Sequence, residues 1–318
     1  MDRKVSWFLV FVLVTASVGS VVLSRAAWFS QPKPAATVIG GKPGIVATFY
    51  PLAAFARAIA GDAATVTTVI PQGMEPHDYE PTPQDILAAE RADLFLANGA
   101  GLDEWAWKIR PDIEAHGGSV IIMGDSLPLL TQADEGTGSP AQDPHFWLDP
   151  VLAKGEAAMI RDALVRRDPT SAGTYAANAD ALMAKFDALD RSFRTGLGSC
   201  AMHDIITSHD AFNYLANRYG FTAHAIAGIS PEEEPSPRRI AELSDLAKSL
   251  GTRYIFTESL VSPKIARTLA AEAGAETLVF DPLEGLTASE AAAGADYFSI
   301  MRDNLANLET ALGCKPGM

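Results

Sequence analysis

The stretch "GIVATFYPLAAFARAIAGDAATVTTVI", residues 44–70, decides the fold. "GIVATF" is a short β-branched and apolar run, "PLAAFARAIAG" carries apolar residues at helical spacing behind a proline, and "ATVTTVI" reads as a strand again. Two strands joined by a helix lie parallel in one sheet, because a tight turn can join only antiparallel neighbours. The grammar continues outward. "TPQDILAAERA", "DLFLANG", "LDEWAWKIRPDIEAHG" and "GSVIIMG" extend the alternation to residue 124. It returns later, with "DIITS", "FTAHAIAG", "RYIFTES" and "TLVFDP" as strands separated by "DAFNYLANRYG", "SPRRIAELSDLAKSLG" and "SPKIARTLAAEAG" as helices.

The expected fold class is therefore α/β, with two lobes that each hold a mostly parallel sheet flanked by helices. Between them lies a long segment without strand signals. Tyr175, Leu182, Phe186, Leu189 and Phe193 recur there at helical spacing and predict one helix from about Ser171 to Leu197, a stiff connector between the lobes. The "TQADEGTGSPAQD" segment ahead of it reads as an exposed loop. The boundaries expected are an N-terminal lobe over residues 38–168, a linking helix over 169–198 and a C-terminal lobe over 199–318.

Residues 1–30 stand apart. Arg3 and Lys4 precede an uncharged apolar run from Val5 to Leu23, with small residues at Ser24 to Ala27, the layout of a secretory signal peptide. The run is also about as long as a membrane-spanning helix, so an uncleaved N-terminal anchor is the alternative. No cysteine lies near it to carry a lipid. The rest of the chain is expected outside the cytoplasm, where disulfides persist, and the only two cysteines, Cys200 and Cys314, are predicted to pair.

With 318 residues and 48% hydrophobic composition the chain can bury a sizeable core. It carries 25 Lys and Arg against 39 Asp and Glu, with no basic run, so a phosphate backbone is repelled and nucleic acid is excluded as a partner.

Open α/β sheets bind ligands beyond the carboxyl ends of their strands. Three of the six histidines fall there: His77 after "ATVTTVI", His145 in "DPHFWLDP" after "GSVIIMG", and His209 where "DIITS" turns into a helix. Each has a carboxylate nearby in sequence, Asp78, Asp143 and Asp149, or Asp210, and a metal-bound imidazole commonly donates its second ring N–H to such a group. Two histidines from one lobe and one from the other would meet in a cleft. Neutral imidazoles suit Zn2+, which favours four ligands. Asp281, at the end of "TLVFDP", is the expected fourth, with Glu75, Glu80 or a water as rivals. His116 sits at a helix end, His224 inside a strand and His203 before one, so none of them is a candidate.

"GMEPHDYEPTPQDILAAERADLFLANGAGLDEW", "DPHFWLDP", "SHDAFNYLANRYG" and "FDPLEGL" together resemble the metal-binding proteins of ABC importers for zinc and manganese, over about residues 44–312. The resemblance implies a periplasmic, monomeric protein whose partner is the membrane subunit of an ABC permease. It also implies a metal held between the lobes, with His77, His145 and His209 at the ligand positions and Asp281 at the fourth. Manganese members commonly carry Glu at the third histidine position, so His209 points to Zn2+ over Mn2+. Two departures stand out: the loop before His145 is short and lacks histidine, and the N-terminal cysteine of lipoprotein members is missing. Two other classes compete with this non-enzymatic reading. One is a metal-dependent hydrolase, although HExxH, GxSxG and P-loop patterns are all missing. The other is an adhesin using Trp105, Trp107 and Trp147.

Overall fold

A computed structural model describes residues 41–133 and 140–315. The expected signal or anchor at residues 1–30 lies outside them, as does the tip of the acidic loop. Among the described residues no helix is long and apolar enough to cross a membrane.

Strands β1 (Gly44–Ala47), β2 (Thr65–Thr68), β3 (Leu94–Ala97) and β4 (Ser119–Ile122) form an all-parallel sheet in the order β2-β1-β3-β4. Helices α1 (Tyr50–Ala60), α2 (Pro83–Glu90) and α3 (Trp105–Ala115) make the crossovers. The β3 residues Leu94, Phe95, Leu96 and Ala97 are all buried, the signature of a strand covered on both faces. Thr82 caps α2 in a reciprocal box with Asp85, which also accepts a hydrogen bond from the Tyr79 hydroxyl at 2.9 Å.

Within the stretch expected as a loop, Thr131–Ala133 (β5) pairs antiparallel with Pro140–Gln142 (β6). Two helices follow where one was foreseen, α4 (Pro150–Arg167) and α5 (Ala172–Gly196). The second falls on the stretch, about Ser171 to Leu197, expected to be helical. All five stripe residues of α5 are buried.

The other half holds two parallel ladders, β7 (Asp204–Thr207) with β8 (Thr222–Ala225), and β9 (Tyr254–Thr257) with β10 (Glu276–Val279). β7 lies beside β9, so the order β8-β7-β9-β10 repeats the winding of the first sheet. The crossovers are α6 (Asn213–Tyr219), α7 (Pro237–Leu250) and α8 (Lys264–Ala273); α9 (Ala288–Ala292) and α10 (Tyr297–Leu312) close the chain.

The halves share one core. Phe55 of α1, Phe186 of α5 and Tyr297 of α10 meet edge-to-face with ring centroids 5.1 to 5.6 Å apart, so α5 is gripped from both sides. Cys200 and Cys314 form the expected disulfide across a separation of 114 residues. In the chain-entropy account such a loop is worth about 5 kcal/mol. Trp147 is fully buried and Trp105 packs on Phe95, leaving Trp107 exposed alone rather than as part of an aromatic patch.

Candidate metal centre

His77, His145 and His209 converge from the ends of strands in both halves, as their positions imply. Each is presented differently. His77 rides on the proline-bounded loop after β2, where Met74 N–H bonds Pro71 O and Tyr79 N–H bonds Pro76 O at 3.2 Å each. Glu75 folds its carboxylate back onto the His77 N–H at 3.0 Å and braces the loop; burial and then the Glu284 charge push its pKa up to about 7. Glu80 is exposed. The loop thus holds itself in shape by turns and a local carboxylate, which prolines permit and a strand would not.

His145 opens a single 3-10 turn, Phe146–Leu148, and His209 directly follows the β7 end. Both are fully buried. His145 Nδ1 lies 2.8 Å from Asp143 Oδ1, and His209 Nδ1 lies 2.8 Å from both oxygens of Glu258. Such contacts put the proton on Nδ1 and leave Nε2 free as a donor atom.

The carboxylate that the structure brings to the three histidines, where the strand end had pointed to Asp281, is that of Glu284. Its Oε1 sits 3.0 Å from His77 Nε2 and 3.4 Å from the Nε2 atoms of His145 and His209. The imidazole nitrogens are 3.1 Å apart for His77 and His145 and 3.3 Å apart for His145 and His209. All four donor atoms lie within 4.8 Å of one another. A tetrahedron with metal–ligand bonds of about 2.0 to 2.1 Å has edges of about 3.3 to 3.4 Å, close to the five distances above; the sixth edge, His77 to His209, lies within 4.8 Å.

Asp281 serves the turn that presents Glu284. Its Oδ1 accepts the Leu283 N–H at 2.7 Å, while Asn304 brackets its backbone with two hydrogen bonds of 2.8 Å. Leu283 has φ of 58°, a left-handed conformation that a leucine adopts only under constraint. The constraint comes from Asp281 and from Trp147, whose indole Nε1 donates to Pro282 O at 2.8 Å. That reversal carries the chain from the strand end into the cleft. Reading only the strand end selects Asp281; the one hint of Glu284 in the sequence is a second acid inside the compact turn "DPLEG", three residues beyond Asp281.

The electrostatics follow from burial and mutual contact. Burial works against the Glu284 carboxylate, but the His209 charge and hydrogen bonds from all three imidazoles hold it well below the usual carboxylate range. Burial opposes a charged His209 too, yet the charges of Glu258 and Glu284 hold its pKa well above the ordinary imidazole value. For His77 burial prevails and lowers the pKa. Burial opposes a charged His145 as well, but its hydrogen bonds to Asp143 and Glu284 raise its pKa, so without an ion protons on His209 and His145 stand against the Glu284 charge. His116 caps α3, and His224 Nε2 pairs with Asp204 at 2.8 Å, both away from the cluster.

The arrangement can hold one small cation in three nitrogens and one oxygen. The family described as zinc-uptake complex component A, periplasmic, matches residues 45–311. The high-affinity zinc uptake system protein ZnuA of Bacillus subtilis is 35% identical over 315 residues, covering 96% of this chain and 98% of that one. The zinc-binding lipoprotein AdcA of Streptococcus pneumoniae is 37% identical over 278 residues, 85% of this chain but 56% of AdcA, so the chain spans about half the length of that relative. Among solved structures, the Zn(II)-bound ZnuA-like domain of Streptococcus pneumoniae AdcA superposes with a TM-score of 0.75 at 37% identity, covering 86% of this chain and 99% of that one.

Proposed function

The chain belongs to the family of periplasmic zinc-uptake components, and from that premise we propose that it captures Zn2+ outside the cytoplasm and delivers it to the membrane subunit of an ABC permease. Zn2+ is the cargo, held by His77, His145, His209 and Glu284. The observation that carries this reading is the near-tetrahedral spacing of three Nε2 atoms and one carboxylate oxygen. Mn2+ favours more ligands and mainly oxygen, so this donor set disfavours it. Four protein donors also fill a tetrahedral ion, leaving no open position for the bound water that a hydrolase needs. We place the protein in the periplasm as a monomer, exported by residues 1–30.

Calorimetric titration of metal-stripped protein with Zn2+ and with Mn2+ tests the reading. The expected result is one tight Zn2+ equivalent and Mn2+ at least about a hundredfold weaker, as the donor chemistry requires. Tighter Mn2+, or no binding of either ion, would overturn it.

A further inference from the structure

The support behind His145 is built differently from that behind His209. Glu258, which faces His209 Nδ1, follows β9 in the same half of the molecule. Asp143, which faces His145 Nδ1, is held from both halves. Its Oδ1 takes the His145 backbone N–H at 2.9 Å and the ring at 2.8 Å. Its Oδ2 takes Gln132 Nε2 of β5 at 3.0 Å and Asn213 Nδ2 of α6 at 3.2 Å.

Asn213 lies four residues beyond His209. Its amide nitrogen also reaches Gln132 Oε1 at 2.9 Å and Asp210 Oδ1 at 2.8 Å, so one NH2 group separates two carboxylates that would otherwise face each other. The adjoining Tyr214 hydroxyl donates to Asp143 O at 2.8 Å and accepts from Leu130 N–H at 2.8 Å. The Asp143 N–H bonds Leu130 O at 2.9 Å. Every polar group of Asp143 is thus engaged, and two of its partners come from the second half.

A carboxylate directs an imidazole only while its own plane is fixed. Gln132 fixes that plane from the hairpin of the first half, and Asn213 fixes it from the second. We infer that Asn213, acting with Gln132 through Asp143, is a positioning residue that makes the orientation of His145 depend on contact between the two halves. The inference rests on the metal-capture reading above. His209, Glu284 and Asn213 all belong to the second half, so any loss of contact between the halves takes two ligands from the ion and the brace from Asp143 together. His145 then loses its brace as its fellow ligands depart, and the first half is not left holding the ion in a firmly aimed imidazole.

Zinc dissociation from the full chain into excess chelator, followed by stopped flow, tests this for Asn213→Leu and Gln132→Ala, each in the wild-type and in an Asp143→Ala background. In the wild-type background Asn213→Leu is expected to raise the off-rate about tenfold and Gln132→Ala a few-fold, both with a shifted visible spectrum of the Co2+-loaded protein. Both effects should vanish in the Asp143→Ala background, because the group they act through is gone. Equal increases in the two backgrounds would overturn the inference, as would an Asn213→Leu protein that binds zinc and releases it at the wild-type rate; neither result touches the proposed function. Wild-type protein that takes up no zinc would overturn both. Gln132 lies on a short hairpin outside the core, so Gln132→Ala decides the matter if Asn213→Leu does not fold.

Discussion

The two halves wind their strands in the same order, yet they prepare their share of the site in different ways. In the second half His209 is braced by Glu258 from the neighbouring strand end, and Glu284 is set by a turn that Asp281, Asn304 and Trp147 all hold. In the first, His77 stands on a surface loop and has no carboxylate at Nδ1 among the described residues, while His145 borrows part of its support from across the cleft. The second half presents a prebuilt pair of ligands; the first completes it. A fold can repeat its topology without repeating its rigidity, and rigidity is what separates a strong ligand from a replaceable one.

That contrast can be broken by mutation. His209→Ala should weaken zinc binding by about a thousandfold or more, because it removes a rigid ligand and leaves Glu258 buried without its partner, whereas His77→Ala should cost about ten- to a hundredfold. Equal losses in competition titrations would show that the halves contribute alike. Glu258→Gln, which keeps the shape but removes the charge behind His209, should cost about ten- to a hundredfold in affinity by the same assay.

The pH dependence sharpens the comparison. The His209 pKa lies above the ordinary imidazole value of 6.5, so the ion must displace a proton from it even at neutral pH. At His145 burial is outweighed by the hydrogen bonds to Asp143 and Glu284, so its pKa is raised too; apparent affinity should therefore rise from pH 6.5 by more than about tenfold per unit where both imidazoles are protonated, and level off above their raised values. Below 6.5 the fall should steepen as His77, whose pKa is lowered, joins the competition. Affinity that stays flat from pH 6.5 upward would remove His209 from the proton balance.

The smallest effect expected concerns the shared core behind both halves. Glu156 of α4 is fully buried with neither oxygen hydrogen-bonded among the described residues, and burial holds its pKa well above the carboxylate range. Its folded pKa exceeds its unfolded one, so its contribution is most favourable below about pH 4.3 and is lost as pH rises toward the folded value. Glu156→Leu should therefore stabilise the protein at neutral pH by about 1 kcal/mol, raising the melting temperature by a few degrees in calorimetry. Destabilisation would mean that this carboxyl is satisfied by a group such as water.

Much of this molecule was legible in its sequence because period and punctuation agree: the strands and crossover helices fall where the apolar runs and their flanking prolines and glycines put them. The three histidines were legible for a further reason, since each follows a strand end and strand ends line the cleft. Glu284 was not. Its position depends on a left-handed Leu283 held by Trp147, 136 residues earlier in the chain, and no local pattern reports a contact of that range. The short polar strands β5 and β6 escaped because three residues give no periodicity to read. Asn213 escaped because its role lies in which carboxylates its amide separates.

The bridge between Cys200 and Cys314 also makes the second half a closed ring of chain. A single cut by a protease anywhere between the two cysteines leaves one covalent molecule, with the new C-terminus joined to α5 by the main chain and the new N-terminus joined to it through the sulfurs. Reduction would release the C-terminal fragment, and with it Glu284 if the cut falls before that residue.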